Sequence, residues 1–433
     1  MSVRAAASRP SFVTGVLSLA FLLAIIDRMI FSLLITPIKA DLLISDTQAG
    51  ALAGLAFGLF YTLLGLPLGR LADHVHRPRL ITAGLLLWTI ATIACGFARS
   101  FEQLFIARVC VGVGEAAISP AAYSLLTDYV PRPKLARAMG VYMMGTVVGV
   151  AVAWIAGGRI IGWLQYSSLP LPSLKPWSVV FFAAGAPGLM VAPILLAIRE
   201  LRSPTDASGV ARSRLRDLWR HLIEAKGAYA AHFVGVAALN TYAFALLTWT
   251  PAMFTREFGL PLERVGPLLG SAVGAAGIVG MYLIGASADR LVRRGTADAS
   301  FRLMVGIAVA MLPFAAGISM THGPTERLFL FLVPLMTLFF MLIACAPTAL
   351  QIITPAPLRG SVSAVYLFIV NVTAFSLGPT VVGVLADRHK SAPNGLAEAV
   401  QVMGFVCVPL AIVAFGLGLR PFSLQVRSQG RAT

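Results

Sequence analysis

"GRLADHVHRPR", residues 69–79, closes one apolar run and opens a short basic segment. "GASADRLVRRG", residues 285–295, does the same later in the chain. Gly69 aligns with Gly285 and Asp73 with Asp289 at one common offset. A second pair behaves alike: "PRPKLARAMGVY" (131–142) and "PAPLRGSVSAVY" (355–366). Each pair follows corresponding apolar runs. Two matches in consistent positions mark a duplicated unit.

The apolar runs decide what the unit is. Of 433 residues, 58% are hydrophobic and 12% charged, whereas a soluble domain carries roughly 25% charged residues. A membrane-crossing helix needs about 20 mostly apolar residues. Twelve such runs occur, near 12–36, 47–69, 80–98, 102–130, 135–163, 177–198, 229–250, 264–287, 302–320, 327–353, 359–386 and 397–419. The first is basic and then apolar, like a signal peptide. Its apolar part exceeds a usual h-region and has no A-x-A site, so it reads as a retained span.

The net charge of +16 sits between the runs. It points to topology and anionic lipid, not to nucleic acid. With the N-terminus in the cytoplasm, that side holds 23 Lys/Arg in or at the ends of its segments and the other side 8. Both termini are therefore expected in the cytoplasm, and a bacterial inner membrane is the expected location. The four cysteines, Cys95, Cys110, Cys345 and Cys407, lie in apolar runs without a CxxC or a Cys/His set. Neither a disulfide framework nor a metal site is expected.

The expected fold is an all-α integral membrane protein, with twelve transmembrane helices in two pseudo-symmetric six-helix bundles. The domains are 1–198, a cytoplasmic linker at 199–228, and 229–433. In the linker, Leu215, Leu218, Trp219, Leu222 and Ile223 fall at helical spacing, with Arg212, Arg214, Arg216 and Arg220 on other faces. That predicts an amphipathic helix lying on headgroups.

"GRLADHVHRPR" resembles the loop signature between spans 2 and 3 of the major facilitator superfamily, and "GASADRLVRRG" its second-half copy. The resemblance implies a cytoplasmic gate of Gly69, Asp73, Arg77, Arg79, Gly285, Asp289, Arg290 and Arg293. Gly69 would allow close helix contact, and Asp73 would pair with basic residues or a helix N-terminus. His74 stands where a basic residue is usual, and Pro78 interrupts the basic run. "DRMIFS" in span 1, "ARVCVGVGEAAISPAAYSLLTDYVP" in span 4 and "RGSVSAVYLFIVNVTAFSLGP" in span 11 are similar to the Spinster-like branch.

Charges inside a span cost about 2.5–3.5 kcal/mol each on insertion scales and usually face a partner or a cavity. Asp27, Arg28, Arg108 and Glu115 are such charges. At 1.5 Å rise per residue, Asp27 and Arg108 fall at nearly one level, with Glu115 two turns further along span 4. Asp27 and Arg28 differ by about 100° around their helix, so one neighbour is not expected to take both. Removal from water favours the protonated carboxyl, and a nearby guanidinium favours the carboxylate. Arg108 moving between Asp27, Glu115 and substrate would therefore switch protonation. The resemblance implies that Asp27 and Glu115 are proton sites, that Arg108 contacts a headgroup, and that spans 1 and 4 line a cavity. A static ion pair that fixes packing is the alternative. Arg28, Asn240, Tyr242, Trp249 and Asn371 are weaker substrate-binding candidates. Trp249 and His232 also read as interfacial residues.

No HExxH, GxSxG or Walker A sequence occurs, so neither an enzyme nor an ATP-driven pump is expected. The expectation is a monomeric, cofactor-free secondary transporter with the proton as coupling ion. Few cavity charges suit an amphipathic organic anion or zwitterion, of lysophospholipid or sphingoid-phosphate type. A small carboxylate is the alternative substrate, and a transport-dead sensor or channel the alternative class.

Overall fold

All twelve expected runs are helical in the computed structural model, which describes residues 9–166, 174–201, 215–296, 298–318, 325–389, 392 and 394–430. The helices are α1 (Pro10–Leu42), α2 (Asp46–Ala72), α3 (Arg77–Phe97), α4 (Phe101–Tyr129), α5 (Arg132–Tyr166) and α6 (Pro176–Leu196). The short linker helix α7 follows (Leu215–Glu224). Then come α8 (Lys226–Arg256), α9 (Leu262–Arg293), α10 (Ala299–Gly317), α11 (Thr325–Ile353), α12 (Ala356–Arg388) and α13 (Gly395–Gly430). No strand occurs among the described residues.

Local chemistry sets several boundaries. Ser45 and Gln48 form a capping box that starts α2, satisfying two backbone N–H groups with side-chain oxygens. Ser100 accepts from the Gln103 N–H at the start of α4. Pro78 and Pro176 occupy first-turn positions, where a missing N–H costs no helical bond. Inside α2, residues Leu55–Leu59 form a π-helical turn. Residues 372–377 of α12 do the same. Such turns swing side chains out of the regular register and are frequent at functional sites.

The chain packs as two units, Met1–Val210 with Thr250–Ser271, and Ala211–Trp249 with Ala272–Thr433. In the first unit α1 packs on α5, and α3 packs on both α4 and α6. The stripe of Gly145, Gly149 and Gly157 on α5 meets Phe21, Ile25 and Leu33 of α1, the contact expected of small residues at four-residue spacing. Trp154 of α5 donates to the Met29 carbonyl (3.1 Å) and to Ser32 Oγ (2.9 Å) on the same seam. In the second unit α10 packs on α11 and α13. Asp298, just ahead of α10, accepts hydrogen bonds from Arg302 (2.8 Å) and from Ser423 of α13. Burial alone would raise the Asp298 carboxyl, but these two donors hold it below its ordinary value.

Residues 250–271 pack with the first unit, although they belong to α8 and α9. Asp46, fully buried, explains this in part. It takes Lys39 at 2.7 Å and both terminal nitrogens of Arg256 at 2.8 and 2.9 Å. A buried carboxylate must be paired and hydrogen-bonded. Gly266 also lies against the Trp154 carbonyl, where an added Cβ would sit at 2.2 Å.

Gly84 and Gly114 bring α3 and α4 into backbone contact. A Cβ on Gly84 would lie 2.5 Å from the Gly114 carbonyl oxygen. Gly84→Ala is therefore expected to lower stability by about 1–3 kcal/mol, the usual cost of overpacking. A thermal melt in detergent reads it.

Of the linker helix, α7 is described and 202–214 lies outside the described residues, so Arg212 and Arg214 do too. Leu218 and Leu222 are buried, while Trp219 and Ile223 are exposed. Two residues of the expected apolar face thus pack on the protein and two are left open, while the side chain of Leu215 lies outside the described residues.

Candidate functional site

Four charged side chains meet inside the first unit, as two pairs. Asp27 of α1 lies 3.6 Å from Arg108 of α4, both about 2% exposed or less. Arg28 of α1 reaches Glu115 of α4, with Nε and Nη2 at 2.8 and 2.7 Å from one oxygen, Oε2. The level of Asp27 with Arg108 is as expected. The expectation that one neighbour could not take both residues of "DR" is overturned, because α4 takes both. Arg108 and Glu115 lie two turns apart on nearly one face, and two long guanidinium stems bridge what the 100° rotation separates. Arg28, assigned from sequence to substrate contact, is paired with Glu115 in this structure.

The pairs are incompletely bonded. Asp27 Oδ2, Glu115 Oε1, and Nε and Nη1 of Arg108 are buried with no hydrogen-bond partner among the described residues. Asp27 Oδ1 accepts the Thr92 hydroxyl of α3 at 2.6 Å. Buried polar atoms are almost always satisfied, so unused capacity in one cluster marks a place where a proton, water or ligand can act.

Aromatic rings enclose the charges. Arg28 lies 4.7 Å from the Phe57 centroid and 4.5 Å from that of Tyr61. Arg108 lies 4.7 Å from Phe31 and 5.4 Å from Phe57. Phe57 thus serves both guanidinium groups, a cation–π contact worth about 2 kcal/mol or more when desolvated. It is presented by the π-helical turn of α2, and Gly112 of α4 lets that turn in: an added Cβ there would sit 2.6 Å from the Phe57 carbonyl oxygen. Sequence reasoning named neither Phe57, Tyr61 nor Thr92. A lone aromatic or threonine in an apolar run carries no signal of its own.

The remaining candidates fall elsewhere. Asn240 is buried and donates to the Val236 carbonyl of its own helix at 2.9 Å. Tyr242 is wholly buried, and its hydroxyl has no partner among the described residues. Trp249 is wholly buried and donates to the Pro379 carbonyl at 2.9 Å, so it is an interior residue, not an interfacial one. His232 is likewise fully buried, bonded to the Ala346 carbonyl at 2.9 Å. An apolar helix gives no sequence cue to which face its aromatics take. Asn371 is half-buried where the second π-helical turn begins.

Among the gate residues, Arg77 is the buried one. Its backbone N–H donates to Glu200 at 2.8 Å, and its guanidinium bonds Glu200, Ser124 (2.7 Å) and Asp128 (2.5 Å). Arg79, Asp289, Arg290 and Arg293 are exposed, and the side chain of Asp73 lies outside the described residues. A Cβ on Gly69 would make only an ordinary 3.5 Å contact with Pro120, and one on Gly285 would meet nothing within 4 Å. The close helix contacts expected there occur instead at Gly84, Gly112 and Gly114. No cluster of three or more potential metal ligands occurs among the described residues.

A family model, the Major Facilitator Superfamily, matches residues 17–379. The chain belongs to the major facilitator superfamily. Members of this superfamily are transporters, not enzymes, and the chain is a multi-pass membrane protein of that class. It is 29% identical to an MFS-type efflux pump of Mycolicibacterium smegmatis over 409 residues, covering 92% of this chain and 91% of the pump. It is 26% identical to a D-galactonate transporter of Escherichia coli over 390 residues, covering 85% and 87%. A solved bacterial homologue of the human lysosomal transporter Spinster, inward-facing and occupied, superposes with a TM-score of 0.79 at 25% identity. That match covers 96% of this chain and 97% of the other. The Spinster-like resemblance of the major facilitator sequence thus has a structural counterpart.

Proposed function

We propose that the protein is a proton-coupled transporter of organic anions, working by alternating access, with the Asp27–Arg108 and Arg28–Glu115 pairs as its coupling machinery. The observation that carries this reading is the unused hydrogen-bonding capacity of the two buried pairs. An anion that takes the open nitrogens of Arg108 competes with Asp27 for its cation. Asp27, left without a counter-charge, then gains a proton. Glu115, with one oxygen on Arg28 and one unused, is the second proton site. Both termini lie in the cytoplasm in this reading, in a bacterial inner membrane. The protein acts as a monomer without a cofactor, and α7 lies on the membrane with Trp219 and Ile223 at the apolar boundary and Arg216 and Arg220 toward anionic headgroups.

The substrate class follows from the surroundings of the guanidinium groups. Phe31, Phe57 and Tyr61 offer ring faces and few hydroxyl or amide groups. An anionic head on an apolar body, as in a lysophospholipid or sphingoid phosphate, matches both parts. Compact carboxylates are the second reading, favoured by the galactonate transporter among the relatives. A thermal-shift panel of lysolipids and organic acids on the purified protein separates the two.

Uptake driven by a pH gradient in liposomes tests the coupling. Glu115→Gln is expected to lose proton-driven accumulation while retaining counterflow exchange. Accumulation with unchanged pH dependence in this variant would sink the coupling assignment.

A further inference from the structure

Threonines in these helices mostly spend their hydroxyl on their own backbone. Thr62, Thr82, Thr241 and Thr337 each donate to the carbonyl four residues earlier, at 2.7–2.9 Å. Thr92 differs. It is 1% exposed and sends its hydroxyl across the helix boundary to Asp27 Oδ1 at 2.6 Å. That is the short distance of a hydroxyl donating to a carboxylate. Asp27 Oδ2 has no hydrogen bond among the described residues, and the approach of Arg108 to it, 3.6 Å, is an ion pair without one. Among the described residues, the Thr92 hydroxyl thus gives Asp27 a hydrogen bond that Arg108 does not.

We infer that Thr92 is a positioning residue that sets the pH at which Asp27 takes its proton. The inference rests on the coupling role proposed above for Asp27. A hydroxyl aimed at a carboxylate oxygen favours the ionised form and fixes the carboxyl plane so that Oδ2 faces Arg108. Other groups act on Asp27 as well: Arg108 and Glu115 of α4, Arg28 of its own helix and the Cys95 thiol of α3. α6, which also packs on α1, carries no charged residue, and Arg159 of α5 is exposed. Against that background Thr92 adds a neutral donor that no ion pairing replaces. It acts without changing net charge and without reaching the substrate itself.

Initial transport rate against pH in liposomes is the test, on Thr92→Val, Thr92→Ala, Thr92→Ser, Thr89→Val and Asp27→Asn. Thr92→Val keeps shape and loses the donor, and its pH midpoint is expected to move up by about one unit. Thr92→Ser keeps the donor and should hold the wild-type midpoint. Thr89→Val is the control, since Thr89 is buried on the same helix and its hydroxyl has no partner among the described residues. Thr92→Ala lacks the donor too and should shift the same way, so the result does not hang on one variant folding. If Asp27→Asn abolishes the pH response and both donor-free variants keep the wild-type midpoint, the role of Thr92 is refuted alone. If Asp27→Asn leaves the pH response intact, the proton reading falls, and Thr92 with it.

Discussion

Arg108→Ala is expected to disable the protein twice over. The substitution leaves Asp27 buried without its cation, and breaking a buried pair from one side costs about 3–5 kcal/mol. The melting temperature in detergent should fall accordingly. Anion affinity should fall by at least ~30-fold, the equivalent of ~2 kcal/mol for truncating one member of a buried charge pair. The double variant Asp27→Asn/Arg108→Ala separates the two effects. It removes the stranded carboxylate and should recover most of the stability, while affinity stays low. Recovery of both would mean that Arg108 serves only Asp27. Unchanged binding in the single variant would exclude it from the anion site. The Phe31 and Phe57 faces, 4.7 and 5.4 Å from the guanidinium, lose their cation in either variant, so some loss of packing persists.

Arg77→Ala is the second large effect, and it falls on stability. One guanidinium, 1% exposed, ties the first turn of α3 to Ser124 and Asp128 of α4 and to Glu200 beyond α6. The expected loss is about 3 kcal/mol, the lower end for a broken buried pair, because Asp128 is 38% exposed and can rehydrate. Arg77→Lys should recover little, since an ammonium cannot reproduce a planar fork spread over three partners. A melt measured with and without substrate checks this. A fall in both conditions by the same amount identifies a structural hub, and a fall only in the substrate-bound protein would contradict it.

The fold was legible because lipid imposes a coarse, loud constraint. Each of the twelve helices is announced by its own length of apolar sequence, and the "GRLADHVHRPR" repeat announces the duplication. The charged cluster was legible for a related reason: Asp27, Arg28, Arg108 and Glu115 are costly where they stand. What the sequence hid was pairing. Helical rotation separates Asp27 from Arg28, but it says nothing of how far two arginine stems reach or of the π-helical turn that slides Phe57 beneath both. Arg77 was visible as part of a basic motif. Its partners Asp128 and Glu200 sit in different segments, "LLTDYVP" and "AIRE", and nothing local links them. Threonine is the extreme case, since Thr62, Thr82 and Thr92 look alike in apolar surroundings and only Thr92 turns away from its own backbone.

The buried carboxylate of Asp46 also sets an order of events during synthesis. Lys39 leaves the ribosome before it and can hold it at once. Arg256 follows 210 residues later, about 10–40 s at ordinary translation speed. For that interval the nascent first unit carries an acidic site that still lacks Arg256. Its last pieces, residues 250–271, arrive only when most of the chain is already threaded. The unit encoded first is thus completed by a segment encoded in the other half of the chain.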